Sequence, residues 1–221
     1  AIYIVNATTG ALIWSGSNQT SNTGAQAHQQ LTKMRYSMPS SLRAIDIDRD
    51  GVADQFFVGD MGGQVWRFFI QNGNPVSSLI SPLDSASGTT GDGVFASVIP
   101  ADTGSETATQ KKAKLRRFYN EPDIALLTVN TGKALVVNIG SGYRGHPLDT
   151  GAEDRFYSFR TPIIANNDSH TILTESAMYD ATLNLVQEGT ATQKAAAAAA
   201  SRPQAEGSPI KSPARAPSKV A

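Results

Sequence analysis

Gln55-Phe56-Phe57-Val58-Gly59-Asp60-Met61-Gly62-Gly63-Gln64-Val65-Trp66-Arg67-Phe68 is the stretch that decides the fold. Two runs rich in aromatic and β-branched residues flank a five-residue turn, Gly59 to Gly63, whose glycines can take positive φ. That is a β-hairpin. The same grammar recurs upstream, where Ile2-Tyr3-Ile4-Val5 and Ala11-Leu12-Ile13-Trp14 flank Asn6-Ala7-Thr8-Thr9-Gly10. It recurs downstream, where Ile124-Ala125-Leu126-Leu127-Thr128-Val129 and Ala134-Leu135-Val136-Val137 flank Asn130-Thr131-Gly132-Lys133. In the first two hairpins a turn glycine precedes a tryptophan by four residues, Gly10 to Trp14 and Gly62 to Trp66, and these are the only two Trp of the chain.

The turn glycines lie 52 residues apart from Gly10 to Gly62 and 70 apart from Gly62 to Gly132. Such spacing fits four-stranded units of about 40–50 residues with insertions. Repeated hairpins with a turn glycine and a packed tryptophan predict an all-β fold, a partial β-propeller with each Trp wedged between blades. A β-sandwich could show the same strands but would not need the recurrent Gly-x-x-x-Trp step. Two polar stretches, Asn18 to Lys33 and Leu83 to Lys114, read as loops or insertions. The second runs into Lys111-Lys112-Ala113-Lys114-Leu115-Arg116-Arg117, read as a solvated loop before a strand rather than a patch for a partner.

The C-terminal end has a different composition. Ala195 to Ala200 favour helix, with an extension back through Gln193 and Glu188. From Ser201 to Ala221 there are four prolines and four basic residues against Glu206, with only Ile210 and Val220 aliphatic beyond alanine. So little apolar surface cannot offset the entropy of ordering. The expected organisation is a partial propeller over 1–190, a short Ala-rich helix end over 191–200 and a disordered low-complexity tail over 201–221.

Overall composition narrows the chemistry. The 221 residues hold 19 basic and 19 acidic side chains, so no basic footprint argues for nucleic acid. With no Cys and three His, disulfides, thiolate catalysis and cysteine-ligated metal sites are excluded, and a histidine-built site is not expected. No run approaches the roughly 18 apolar residues of a membrane span. The chain opens inside a strand pattern, Ala1-Ile2-Tyr3-Ile4-Val5, which reads as a fragment of a longer protein with some sheet edges left unpaired.

One motif carries sharp chemistry. Asp46-Ile47-Asp48-Arg49-Asp50-Gly51-Val52-Ala53-Asp54 fits Asp-x-Asp-x-Asp-Gly-x-x-Asp. Carboxylates at the first, third and fifth positions converge when the backbone winds round a point, and Gly51 permits the sharp turn. Val52 can offer its carbonyl, and Asp54 a carboxylate directly or through water. Hard oxygen donors without His or Cys select Ca²⁺ over a transition metal. Phe57 stands where an EF-hand has its bidentate Glu, and a strand follows instead of a helix. The loop therefore reads as a calcium site of the kind found in propellers, with Asp46, Asp48, Asp50, Val52 and Asp54 as ligands.

Other polar groups signal less. Gly140-Ser141-Gly142-Tyr143-Arg144-Gly145-His146-Pro147 lacks the Lys-Ser/Thr ending and the following helix of a phosphate loop, so it reads as a tight interblade loop. His28 and His170 sit in polar surroundings and are expected to be solvated. No nucleophile elbow is present, and no catalytic or cofactor-binding residue is assigned.

Several of these segments together resemble a known family. Met34-Arg35-Tyr36-Ser37-Met38-Pro39-Ser40 leads into Ile45 to Asp54, followed by Gly59-Asp60-Met61-Gly62-Gly63-Gln64-Val65-Trp66-Arg67. Then come Arg117-Phe118-Tyr119-Asn120-Glu121-Pro122-Asp123, Ile139 to Leu148, Asp154-Arg155-Phe156-Tyr157, Leu183-Asn184-Leu185 and Gln187-Glu188-Gly189-Thr190. In order and content they resemble the C-terminal propeller of the PilY/PilC proteins of type IV pili, over roughly residues 1–195. The resemblance implies a modified, quinoprotein-like β-propeller from a large secreted protein of Gram-negative bacteria. It implies a place in the periplasm, at the outer membrane or at the pilus tip. It also implies roles in pilus assembly, opposed retraction, adhesion and surface-dependent twitching motility. The implied partners are minor pilus subunits or the tip complex, and a host or surface ligand. The family's calcium loop maps onto the five residues named above. After Ala200 the family continues with folded β sequence, whereas here the low-complexity tail begins, as a shifted or truncated reading frame would produce.

These readings favour a non-enzymatic, calcium-binding pilus module. The alternative from another class is a quinone-dependent dehydrogenase, which shares the propeller grammar. It would need a stacking platform for the quinone, and in many members an adjacent Cys pair; this chain has no Cys, and both Trp already sit at hairpin positions. An integrin-like calcium propeller would repeat the acidic loop in several blades; here it occurs once.

Overall fold

A computed structural model of the chain describes residues 1–83, 92–100, 103–129, 132–162, 170–201 and 210–212. Its first sheet joins β1 (Ile2–Val5) antiparallel to β2 (Leu12–Ser17), with β3 (Ala27–Gln30) parallel to β2. A second, central sheet contains β4 (Arg43–Ile45), β5 (Gln55–Gly59), β6 (Gln64–Ile70), β7 (Ile80–Pro82) and β8 (Val94–Ser97). After the short helix α1 (Ala108–Ala113) come β9 (Asp123–Val129), β10 (Gly132–Gly140) and β11 (Phe156–Thr161), an antiparallel third sheet. The chain then returns: β12 (Leu173–Thr174) joins β8 of the central sheet, and β13 (Tyr179–Asp180) belongs to the third. Helices α2 (Leu185–Glu188) and α3 (Ala191–Ser201) follow, and β14 (Ile210–Ser212) lies between β11 and β13. The fold is all-β with a few short helices, and among the described residues the sheets do not close into a ring.

The continuous apolar run of β5 and β6 has a physical reason: both faces of the central sheet are covered. Phe56, Val58, Trp66 and Phe68 pack with Trp14, Leu31 and Met34 from the first sheet and the segment after it. Phe57, Val65, Phe69 and Phe95 pack with Leu135, Val137, Ile139, Tyr157 and Phe159 of the third. Trp14 and Trp66 are both buried in the first of these cores, where the Trp14 and Phe68 rings meet edge to face at 6.0 Å. On the opposite face, fully buried Arg67 lies over the rings of Phe57 (5.4 Å) and Phe69 (4.7 Å). Its Nε donates to Gln55 Oε1 at 3.0 Å, and burial brings the guanidinium pKa down to about 9, so it stays charged at neutral pH.

Several expectations are corrected. The polar stretch 18–33 contributes β3, and 83–114 contributes β8 and α1. Helix α1 starts at a capping box: Thr107 Oγ accepts from Gln110 N, and Thr107 N donates to Gln110 Oε1 at 2.8 Å. Thr190 and Gln193 repeat this arrangement at the start of α3. Gly132 and Lys133 belong to β10, paired with Val129 and Thr128, rather than to the turn. Glu188 ends its own helix, separated from α3 by Gly189 and Thr190. Of the tail expected to be disordered from Ser201, Ser201 closes α3 and Ile210–Ser212 form a strand; the remainder lies outside the described residues.

Candidate metal centre

The acidic loop hangs between β4 and β5, whose register sets Ile45 opposite Gln55. Its ends are tied down: Asp54 N donates to Ile45 O at 2.8 Å, Ile70 N to Asp54 O at 2.7 Å, and Asn72 Nδ2 to Ala53 O at 3.1 Å. Between those anchors the backbone enters the left-handed region twice, at Arg49 (φ 70°) and Gly51 (φ 90°). Asp46 accepts from Arg49 N at 2.6 Å with one oxygen and from Gly51 N at 2.8 Å with the other. Asp48 Oδ1 accepts from Asp50 N at 3.1 Å, and Asp50 Oδ1 from Val52 N at 2.8 Å. These short side-chain-to-backbone bonds wind the loop on itself.

The winding brings Asp46, Asp48 and Asp50 together, with one carboxylate oxygen from each lying within 4.8 Å of the others, all exposed. Asp54 is not gathered into that cluster; its Oδ2 accepts from Ile47 N at 2.6 Å and braces the loop from inside. Val52 stays in the loop, with its N–H on Asp50. A small hollow of about 180 Å³ beside the loop is lined by Asp48, Asp54 and Gln71 among others. The donor set is all oxygen and triply negative, with Arg49 the one cation inside the loop. It fits a hard divalent cation, which would screen the mutual repulsion of the carboxylates.

The remaining candidate groups are absorbed by the fold. His170, expected to be solvated, is buried: its Nε2 donates to the Phe95 carbonyl at 2.8 Å and its ring stacks on Phe95. His28 bridges the Ser15 hydroxyl and the Gln19 carbonyl, both at 2.8 Å. This Ser–His pair resembles a nucleophile and its base, yet Ser15 is fully buried and offers no approach to a substrate carbonyl. The Ser141 and Gly142 amides donate to Arg155 O and Arg117 O, so the glycine loop presents neither of them to a phosphate. The basic run is used internally: Lys112 pairs with Asp149, Lys114 with Glu106, Arg116 with Glu175, and Arg117 covers the Tyr143 ring.

One constellation had no signal in the sequence beyond its hairpin. Asp60, in the β5–β6 turn, is fully buried and accepts from Gly62 N (2.8 Å), Gln64 N (3.0 Å) and Trp66 Nε1 (2.9 Å). Burial raises its pKa, and these hydrogen bonds act in the opposite direction. The tryptophan four residues after Gly62 is thus held from its polar end as well as by packing.

No family model matches the chain, and no curated protein matches it. Among solved structures it is similar to the crystal structure of the Pseudomonas aeruginosa PilY1 C-terminal domain, at 17% sequence identity and a TM-score of 0.37. The similarity covers 63% of this chain and 29% of that one, so the matched part spans less than a third of that domain.

Proposed function

We infer that this chain is part of a β-propeller domain from a type IV pilus assembly and tip adhesin protein, and that it binds Ca²⁺. In this reading, calcium biases pilus extension against retraction and tunes surface adhesion, and the module itself is not an enzyme. The observation that carries the metal assignment is the clustering of Asp46, Asp48 and Asp50 at the entrance to the central hairpin. The pilus context is supported by the ordered motifs that resemble the PilY/PilC family. The protein would then act in the periplasm, at the outer membrane or at the pilus tip, with minor pilins or the tip complex as partners. Among the described residues no helix is long and apolar enough to cross a membrane.

Calorimetric titration of CaCl₂ into the 221-residue chain tests the metal. Without a bidentate Glu at the twelfth position, affinity is expected at about micromolar or weaker. Asp50→Ala should abolish the heat. Asp54→Asn should keep the brace to Ile47, because the amide oxygen still accepts, and should only weaken binding. Equal heats for all three proteins would remove the assignment. For the pilus role, Asp50→Ala in the full-length parent protein should change surface piliation and twitching; unchanged motility alongside lost calcium binding would leave the metal purely structural.

A further inference from the structure

A cleft of about 360 Å³ opens where β10 runs into the loop before β11. Tyr119, Asn120, Tyr143, Arg144 and Asp154 line it. Its aromatic part is preorganised. Arg117 lies 4.2 Å from the centroid of the Tyr143 ring, and Gly142 N donates to Arg117 O at 2.9 Å, pinning the loop beneath. Tyr119 and Tyr143 are both half-buried, so each ring is fixed in part and exposed in part.

The polar part is uncommitted. Asp154 uses Oδ1 to accept the Ser141 hydroxyl at 3.1 Å, and that hydroxyl accepts from Arg155 N at 2.8 Å, so the carboxylate is positioned while Oδ2 remains available. Asn120 and Arg144 are exposed, and neither side chain has a hydrogen bond or ion pair among the described residues. The chemistry argues against an anion site. The Ser141 and Gly142 amides are already spent on backbone carbonyls, and Arg117 is engaged on the Tyr143 ring. The lining itself carries one guanidinium, Arg144, and one carboxylate, Asp154, so its formal charges cancel. Two tyrosine rings beside a carboxylate acceptor, an amide and a guanidinium suit a polyhydroxylated ring. Its C–H face can lie on an aromatic face while neighbouring hydroxyls bridge planar polar groups. The volume is at the small end for ligand pockets, the scale of a monosaccharide or disaccharide.

We propose that this cleft is a binding site for a neutral saccharide. The site is separate from the calcium loop and does not depend on the pilus reading. Saturation-transfer NMR on the intact chain tests it, with methyl α-D-glucopyranoside, methyl β-D-galactopyranoside and N-acetylglucosamine as probes and inorganic phosphate as competitor. At least one sugar should receive saturation at its ring C–H protons, with phosphate failing to displace it. Tyr143→Ala should weaken that binding by about tenfold, whereas Tyr143→Phe, which keeps the ring, should stay within about threefold. Asn120→Ala changes an exposed side chain with no partner to lose, so it should weaken the sugar without altering the fold, as circular dichroism would report. The proposal is overturned if none of the three sugars is saturated, or if Tyr143→Ala and Asn120→Ala bind like the unmodified chain. Displacement by phosphate that depends on Arg144 would overturn it in favour of an anion site.

Discussion

The His170 ring stacks on Phe95 at 5.1 Å and donates to the Phe95 carbonyl, sealed from solvent. Burial holds its pKa below 6.5, helped by nearby Arg67 and opposed by the Phe95 hydrogen bond and Asp92. The folded state therefore favours the neutral imidazole, while the unfolded chain takes up a proton near the ordinary value. This contribution to stability is complete well above pH 6.5 and is lost as pH falls toward the lower folded pKa, at up to about 1.4 kcal/mol per pH unit. Urea unfolding at pH 7 and pH 5.5 should show the loss in the unmodified protein and a smaller one in His170→Gln. Equal losses would place the dependence elsewhere. Asp60 makes a second residue-scale test. Truncation by Asp60→Ala removes the acceptor of two buried amides and an indole N–H, and should cost about 3 kcal/mol or more. Released from that contact, Trp66 should shift its emission to the red on urea titration at lower denaturant; an unchanged midpoint would show the donors find other partners.

At the scale of elements, the β5–β6 hairpin depends on two glycines for different reasons. A Cβ at Gly59 would stand 2.7 Å from the Cβ of Phe118, a fully buried residue that cannot step aside. A Cβ at Gly62 would meet the Tyr36 ring at 2.1 Å, but Tyr36 is 51% exposed and can swing into solvent. Gly59→Ala should thus cost about 1–3 kcal/mol by overpacking, and Gly62→Ala clearly less. Chemical denaturation of the two variants decides it, and a reversed order would refute the assignment. Strong apolar runs made this hairpin, and the Gly10–Trp14 hairpin, legible in the sequence. Elements that draw stability from pairing rather than composition were not: β3 is Ala27-His28-Gln29-Gln30, held by parallel bonding to β2. Helix α1 was legible in principle, since Thr107-x-x-Gln110 is a capping signature hidden inside a polar stretch. At the candidate metal site, the clustering of Asp46, Asp48 and Asp50 followed from the motif. The bond from Ile47 N that holds Asp54 apart depends on backbone curvature, which spacing does not encode.

At the scale of the whole molecule, the three sheets share two cores through the central one, so their unfolding should be coupled. A polar clasp reinforces the second contact. Arg116 Nε donates to the Tyr157 hydroxyl at 2.8 Å, that hydroxyl donates to Glu175 Oε2 at 2.9 Å, and Arg155 Nε lies 3.4 Å from Glu175 Oε1. Glu175 sits between β12 of the central sheet and β13 of the third, while Tyr157 belongs to β11, so one carboxylate spans both sheets. Burial, above all, raises the Tyr157 pKa, which keeps the phenol a donor throughout the usual pH range. Glu175→Ala would leave largely buried Arg116 without a carboxylate among the described residues, while Arg155 keeps Glu153 at 3.2 Å and Asp180 at 3.8 Å, a loss of about 3 kcal/mol. Arg43 offers the contrast: its contacts to Glu121 (3.8 Å) and Asp123 (3.6 Å) are exposed, and Arg43→Ala should cost under about 1 kcal/mol. Both variants should be followed by tryptophan fluorescence, which reports the first core, and by far-UV circular dichroism, which reports all three sheets. If the clasp holds a single cooperative unit, Glu175→Ala lowers both transitions together although neither Trp lies in the second core. A dichroism transition that moves while the fluorescence transition stays in place would show instead that the third sheet unfolds on its own.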